Sequence, residues 1–274
     1  MKRKVSSMSS TSSEERPQKR AKLEIKSELK ENKIPEQIQA MIDRLVSEFK
    51  INREDIQIVG AGDSIYVPNL LGQLNLDADF QAKLEREFNW LDPSDERAAR
   101  NRAGQELGRM KACLRKYCAS KDGITYKPRY GHFTGTVSLH RYADGELSEE
   151  NSPMAYKLCE ATDRITNQAN NHVIGTKYRN ENDNIAPHSD KCNDLVDHSY
   201  ICSWSFGATR QLVFEPKGAS KHGRFSIALE HGAFFAMGPR TNSKFTHCVP
   251  KCKVATSERM SCIFRQVATY VTKD

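Results

Sequence analysis

Seven short apolar runs decide the fold: VIGTKY (173–178), SYICSWSFG (199–207), QLVFEP (211–216), GRFSIALE (223–230), AFFAMG (233–238), FTHCV (245–249) and ERMSCIFRQVATYV (258–271). Each has strand length, is rich in β-branched and aromatic residues, and is bounded by Gly, Pro, Asn or Asp. Seven such runs in roughly 100 residues predict an antiparallel sandwich or jelly-roll barrel. Upstream the period changes. Ile38, Met41, Ile42, Leu45, Val46 and Phe49 recur at helical spacing, so an amphipathic helix is expected from Pro35 to Phe49. Ile51 to Val59 reads as a short extended piece. Further helices are expected over Asp77–Trp90, Ser94–Cys118 and Pro153–Asn170. The third carries Arg97, Arg100, Arg102, Arg109, Lys111, Arg115 and Lys116, the main basic concentration of the body. The class is α+β, helices first and a β-core second.

Charge sharpens this division. The chain of 274 residues carries a net +7. Residues 1–34 hold ten Lys/Arg against five Asp/Glu, and the rest is nearly neutral. Nucleic-acid binding therefore does not follow from overall charge. Residues 6–13, SSMSSTSS, cannot build a core and read as disordered. Lys2, Arg3 and Lys4 precede this run, and Arg16, Lys19, Arg20 and Lys22 follow it. Two basic clusters on such an arm predict a nuclear import receptor as partner and a nuclear, otherwise cytoplasmic, protein. No apolar run approaches the roughly 18 residues of a membrane helix, so no membrane partner is expected. The N-terminus has no apolar stretch of a secretory signal. The eight Cys form no CxxC pair and read as free thiols. Three segments are expected: a tail at 1–34, an accessory helical segment at 35–62 and the main body at 63–274.

The polar residues that interrupt the β-rich half carry the chemistry. His188-Ser189-Asp190 precedes a distant His247 on FTHCV. Two His and one carboxylate are the donor set of a facial iron(II) site, which leaves three positions free. In extended chain, residues i and i+2 point the same way, so His188 and Asp190 can share one metal. Arg259 and Arg265 lie on one apparent strand, and their even spacing puts both on one face. Buried Arg calls for an anion, and its planar fork suits a carboxylate. A dicarboxylate that also chelates iron would use both, with the Tyr178 hydroxyl beside it. The plainer alternative is a core Tyr and two structural ion pairs.

Together these residues resemble a family. Tyr178, Ile185-x-x-His188-x-Asp190, SFGATRQLVF, GAFFAMGPRTNSKFTHCVP and ERMSCIFRQV are similar to the AlkB family of iron(II)/2-oxoglutarate dioxygenases. So is IYVPNLL followed by a helix ending in FNW. The resemblance covers about residues 64–274. It implies a double-stranded β-helix (jelly-roll) core with N-terminal helices. It implies that His188, Asp190 and His247 bind Fe(II), and that Arg259, Arg265 and Tyr178 bind 2-oxoglutarate, with O₂ as second co-substrate. Where the family has Asn two residues before that Tyr, Thr176 stands here. Ser261 falls at a polar pocket position between the two arginines. Arg129, Tyr130, His132 and Phe133 fall where the family covers the substrate base. Cys192 stands where nucleotide-repairing members place an acidic residue, and Asp194 is the nearby carboxylate.

The expected activity is oxidative demethylation of N-alkylated bases in DNA or RNA. A base in a duplex must first leave the stack, and phosphate contacts come from Lys and Arg. Two other readings stand beside it. One is an oxygenase acting on a protein side chain or small molecule, favoured by Cys192 and the neutral body. The other is a catalytically inactive binding protein.

Overall fold

The computed structural model describes residues 34–96, 98, 104, 106–118, 145–192, 195–218, 222–268 and 271–272. The tail residues 1–33, the residues expected to cover the substrate, Arg129, Tyr130, His132 and Phe133, and Asp194 lie outside them. The described residues form a mixed fold, mostly sheet with few helices. Helix α1 (Glu36–Ser47) buries Ile38, Met41, Ile42 and Leu45, the stripe its period predicts. Strands β1 (Gln57–Val59) and β2 (Ser64–Val67) follow as a hairpin.

Two helical expectations need correction. The Asp77–Trp90 helix is limited to α2 (Phe80–Arg86). Its chain leaves the helix so that Phe88 and Trp90 can lie on Gly175, where a Cβ would come within 2.8 Å of the Phe88 ring. The Ser94–Cys118 helix is absent where its residues are described from 106 on. Residues Met110–Arg115 form strand β3 and Tyr117–Cys118 strand β4. The cause lies in the alternation of MKACLR. Ala112 and Leu114 enter an apolar core, while Lys111, Cys113 and Arg115 point to the other face. Basic residues at 109, 111 and 115 fit period 2, and pairing with a neighbouring strand overrides helix propensity.

Strand β5 (Gly145–Glu146) then pairs parallel with β3. Helix α3 (Pro153–Thr166) has Pro at its first turn and ends at Asn167 in the left-handed conformation. The β-rich half follows: β6 (His172–Tyr178), β7 (Ile185–His188), β8 (Ile201–Gly207), β9 (Arg210–Pro216), β10 (Phe225–Leu229), β11 (Phe234–Met237), helix α4 (Pro239–Lys244), β12 (Phe245–Val249), β13 (Arg259–Arg265) and β14 (Val271–Thr272). One sheet has the order β1-β2-β11-β8-β13-β6-β3-β5 and another β10-β9-β12-β7. Strands β14 and β4 form a separate parallel pair.

Alternation sorts these strands onto two faces. Trp204, Phe206, Phe234, Ala236, Met260, Cys262 and Phe264 pack with α1, α2 and α3 in one core. Tyr66, Tyr178, Ile201, Phe235 and Met237 face Leu212, Phe214, Ile227, Leu229, Phe245 and Val249 of the four-stranded sheet in a second. The larger sheet is thus covered by helices on one side and by the smaller sheet on the other. Its polar inner residues, including Arg259, Ser261 and Arg265, share the side that faces the smaller sheet.

Candidate metal centre and anion pocket

Strands β7 and β12 pair antiparallel, with His188 directly opposite His247. Cross-strand partners on one face lie close together, and the two ring centroids are 4.4 Å apart. Asp190 follows two residues after His188. Its Oδ2 is 3.6 Å from His247 Nε2. One ligand atom from each of His188, Asp190 and His247 lies within 4.8 Å of the others, a span one ion can bridge. No other such cluster occurs among the described residues.

The protonation states suit ligands. His188 Nδ1 lies 2.9 Å from the Ala186 carbonyl, which can only accept, so Nδ1 carries the proton and Nε2 keeps its lone pair. Burial, and then His247, push the His188 imidazole below its usual range, towards the neutral form that binds metal. At Asp190 burial opposes ionisation. Arg265 and the two imidazoles outweigh it and hold the carboxyl well below the usual carboxylate range. Arg265 Nη2 donates to Asp190 Oδ1 at 2.7 Å.

A second feature lies along β13. Arg259 and Arg265 are six residues apart on this strand and share its inner face. Arg259 is 2% exposed. Its Nη2 donates to Ser205 Oγ at 3.1 Å, while its Nε is buried without a hydrogen-bond partner. Burial pushes this guanidinium down to about 10. It sits 5.2 Å from the centroid of its cross-strand partner Tyr178, whose ring also lies 5.5 Å from Arg210. A buried cation with an unspent N–H favours an anion beside it. Ser261 lies between the two arginines in a cross-strand row with Lys111, Thr176 and Ser205. The donor set therefore fits a divalent metal, and the buried guanidinium fits the far carboxylate of a bound dicarboxylate.

The structure brings His188, Asp190 and His247 together and places Arg259, Tyr178 and Ser261 on one inner face with Arg265. Cys192 is exposed, two residues beyond Asp190, and its Sγ accepts from Asn242 Nδ2 at 3.1 Å. Sequence reasoning missed four residues here. Arg109, just before β3, and Lys111, on it, reach this side, and burial, with Arg109 and Arg265 nearby, pushes the Lys111 ammonium down to about 7. Their signal was the period of RMKACLR (109–115). Arg210, 2% exposed, donates to the carbonyls of Asn180, Asp183 and Pro250. Asn242 had no signal in spacing, because it bonds to main chain 52 positions away.

The 2OG-Fe(II) oxygenase superfamily supplies a sequence model that matches residues 64–267, and the chain belongs to that family. It is an AlkB-like member, a dioxygenase that depends on Fe(II) and 2-oxoglutarate and uses O₂. DNA oxidative demethylase ALKBH2 of Homo sapiens is 28% identical over 206 residues, covering 72% of this chain and 71% of that protein. The Mus musculus protein of the same name is 32% identical over 117 residues, 40% of this chain and 47% of its own length. Alpha-ketoglutarate-dependent dioxygenase alkB homolog 3 of Homo sapiens is 30% identical over 159 residues, 54% of each chain. No helix among the described residues is long and apolar enough to cross a membrane.

Proposed function

We propose that this protein removes alkyl groups oxidatively from N-alkylated bases in DNA or RNA. His188, Asp190 and His247 hold Fe(II), and the two sheets form the double-stranded β-helix around it. Arg259 and Tyr178 take the far carboxylate of 2-oxoglutarate, and Arg265 serves its other end while steadying Asp190. The observation that carries this reading is the cross-strand His188–His247 pair with Asp190 beside it, together with the buried Arg259, which has N–H capacity to spare on the inner face it shares with Arg265. The names of the relatives support the substrate class.

Bound iron supplies oxidation of a C–H bond by O₂, coupled to decarboxylation of 2-oxoglutarate. For an N-methyl group the sum is balanced: base, 2-oxoglutarate and O₂ give demethylated base, formaldehyde, succinate and CO₂. The protein's own residues bind and orient. Neutral His188 and ionised Asp190 offer lone pairs without first losing a proton. The Ser261 and Thr176 hydroxyls line the inner face between the arginines. Residues 129–133, Cys192 and Asp194 belong to the substrate side in this proposal. The tail at 1–34 addresses the protein to the nucleus through an import receptor, 35–62 is accessory, and 63–274 carries the catalysis.

Purified protein with Fe(II), 2-oxoglutarate and a panel of methylated DNA and RNA oligonucleotides is expected to release succinate. At least one oligonucleotide should lose its methyl mass. His188→Ala and Asp190→Ala are expected to abolish both. Unchanged turnover in these variants would sink the metal assignment. Succinate release with no methyl loss across the panel would move the substrate to a protein side chain or small molecule, the reading that Cys192 favours.

A further inference from the structure

The β7–β12 ladder reaches the His188–His247 pair at one end. Asp190 lies just beyond it, where side chains replace the ladder. Ser189 Oγ donates to the Phe245 carbonyl at 2.8 Å. The Asp190 N–H donates to Asn242 Oδ1 at 2.9 Å, and Asn242 Nδ2 donates to the Asp190 carbonyl at 2.9 Å. One carboxamide thus engages both main-chain groups of Asp190. A facing residue does the same in a hydrogen-bonded antiparallel pair. The second hydrogen of Nδ2 is directed at Cys192 Sγ, 3.1 Å away. The amide orientation is fixed by these partners, since reversing it would set N–H against N–H and oxygen against carbonyl.

Asn242 is itself held. It is buried on α4, and its N–H donates to the Gly238 carbonyl at 3.1 Å. The start of α4 is tied down by Asp63, a buried carboxylate. Arg240 N–H donates to Asp63 Oδ2 at 2.7 Å, and Thr241 gives its N–H at 3.1 Å and its hydroxyl at 2.6 Å to Oδ1. Ser64 and Ala61 in turn donate to Thr241 Oγ1. A rigid connection therefore runs from the β1–β2 turn, through α4, to the main chain of Asp190.

We infer that Asn242 is a positioning residue for the metal centre: its carboxamide fixes the Asp190 backbone and so aims the carboxylate at the point His188 and His247 share. This rests on the metal site proposed above. Asp190 is the ligand that most needs such a fixture. Both histidines lie within paired strands, whereas Asp190 lies past the pair, and Arg265 pulls its carboxylate to one side. A partner that holds a ligand's geometry typically contributes about 10- to 100-fold to metal affinity.

The test titrates metal-free protein with Mn(II), a redox-silent substitute for Fe(II), and reads free Mn(II) by electron paramagnetic resonance. Asn242→Ala is expected to weaken binding about 10- to 100-fold. Asn242→Asp keeps the shape but sets an oxygen against the Asp190 carbonyl. It is expected to weaken binding as well, and it decides the matter if the alanine variant does not fold. Ser243→Ala disturbs only a bond within α4 and is expected to bind as wild type does. His188→Ala reports on the site itself. If it loses Mn(II) while both Asn242 variants bind as tightly as wild type, the inference falls and the metal site stands. If His188→Ala binds as tightly as wild type, the proposed site falls instead. Loss of melting temperature in Asn242→Asp without loss of Mn(II) affinity would make Asn242 a structural residue only and overturn the inference.

Discussion

Lys111 is an ammonium placed where the inner face of the large sheet turns polar. In the folded protein burial brings its titration down to about 7, from 10.5 in the free side chain. Between those values the unfolded side chain holds more protons, so the Lys111 share of stability rises with pH through that window, and its penalty is fullest below it. Lys111→Met removes the contribution. The metal-free variant is expected to have a higher urea midpoint than wild type at pH 7, and a flatter rise from pH 7 to 9. Equal slopes in the two proteins would refute this. The same scale shows what spacing can reveal. His188, Asp190, Arg259 and Arg265 were legible because extended chain alternates faces, so even separations mean one side. Asn242 was not, because its bonds to Asp190 go to main-chain atoms, which every residue type carries.

Strand β13 begins where the β8–β9 turn is closest. Gly207 has φ +79°, and a Cβ there would lie 2.4 Å from the Glu258 carbonyl. That carbonyl also accepts the Ala208 N–H at 2.9 Å, and Arg259 is Gly207's cross-strand partner. A side chain at 207 must therefore push on the residue next to Arg259. Gly207→Ala is expected to cost about 1–2 kcal/mol for the backbone alone, with the clash added, and to raise the KM for 2-oxoglutarate. Gly218→Ala, at φ +60° with nothing within 4 Å of the added carbon, bears the backbone cost only and should leave the KM alone. Equal effects of the two on stability and KM would mean that the turn does not support Arg259. Among the elements, α1, α3 and the later strands were legible from period and punctuation. The basic segment around 110 misled, because seven cations drew attention from the apolar residues between them. Strand β7 was hidden too: IAPH has little strand character, and β12 beside it makes it a strand.

Charge divides the whole molecule at about residue 34. The tail at 1–34 holds ten Lys/Arg against five Asp/Glu, while α1 begins at Glu36 and already belongs to the core. Removing residues 1–34 leaves that core's fully buried set complete and takes only the partly buried Ile34 from its edge. A fluorescent fusion lacking them is expected to leave the nucleus yet keep its melting temperature and succinate release. An unchanged distribution would remove the tail from the proposed addressing role. The segment at 35–62 contributes both a core helix and the edge strand β1 of the large sheet. An amphipathic stripe reports that a face is covered, and not by what.

Strand β13 writes two messages in one line of text. Read at even positions, Met260, Cys262 and Phe264 speak to the helices. Read at odd positions, Arg259, Ser261, Ile263 and Arg265 speak to the other sheet. A substitution at an odd position changes what the inner face presents while leaving the helix-facing set in place. Losing a single residue from the strand would exchange the two readings at a stroke, and selection should tolerate many substitutions there but hardly any deletion.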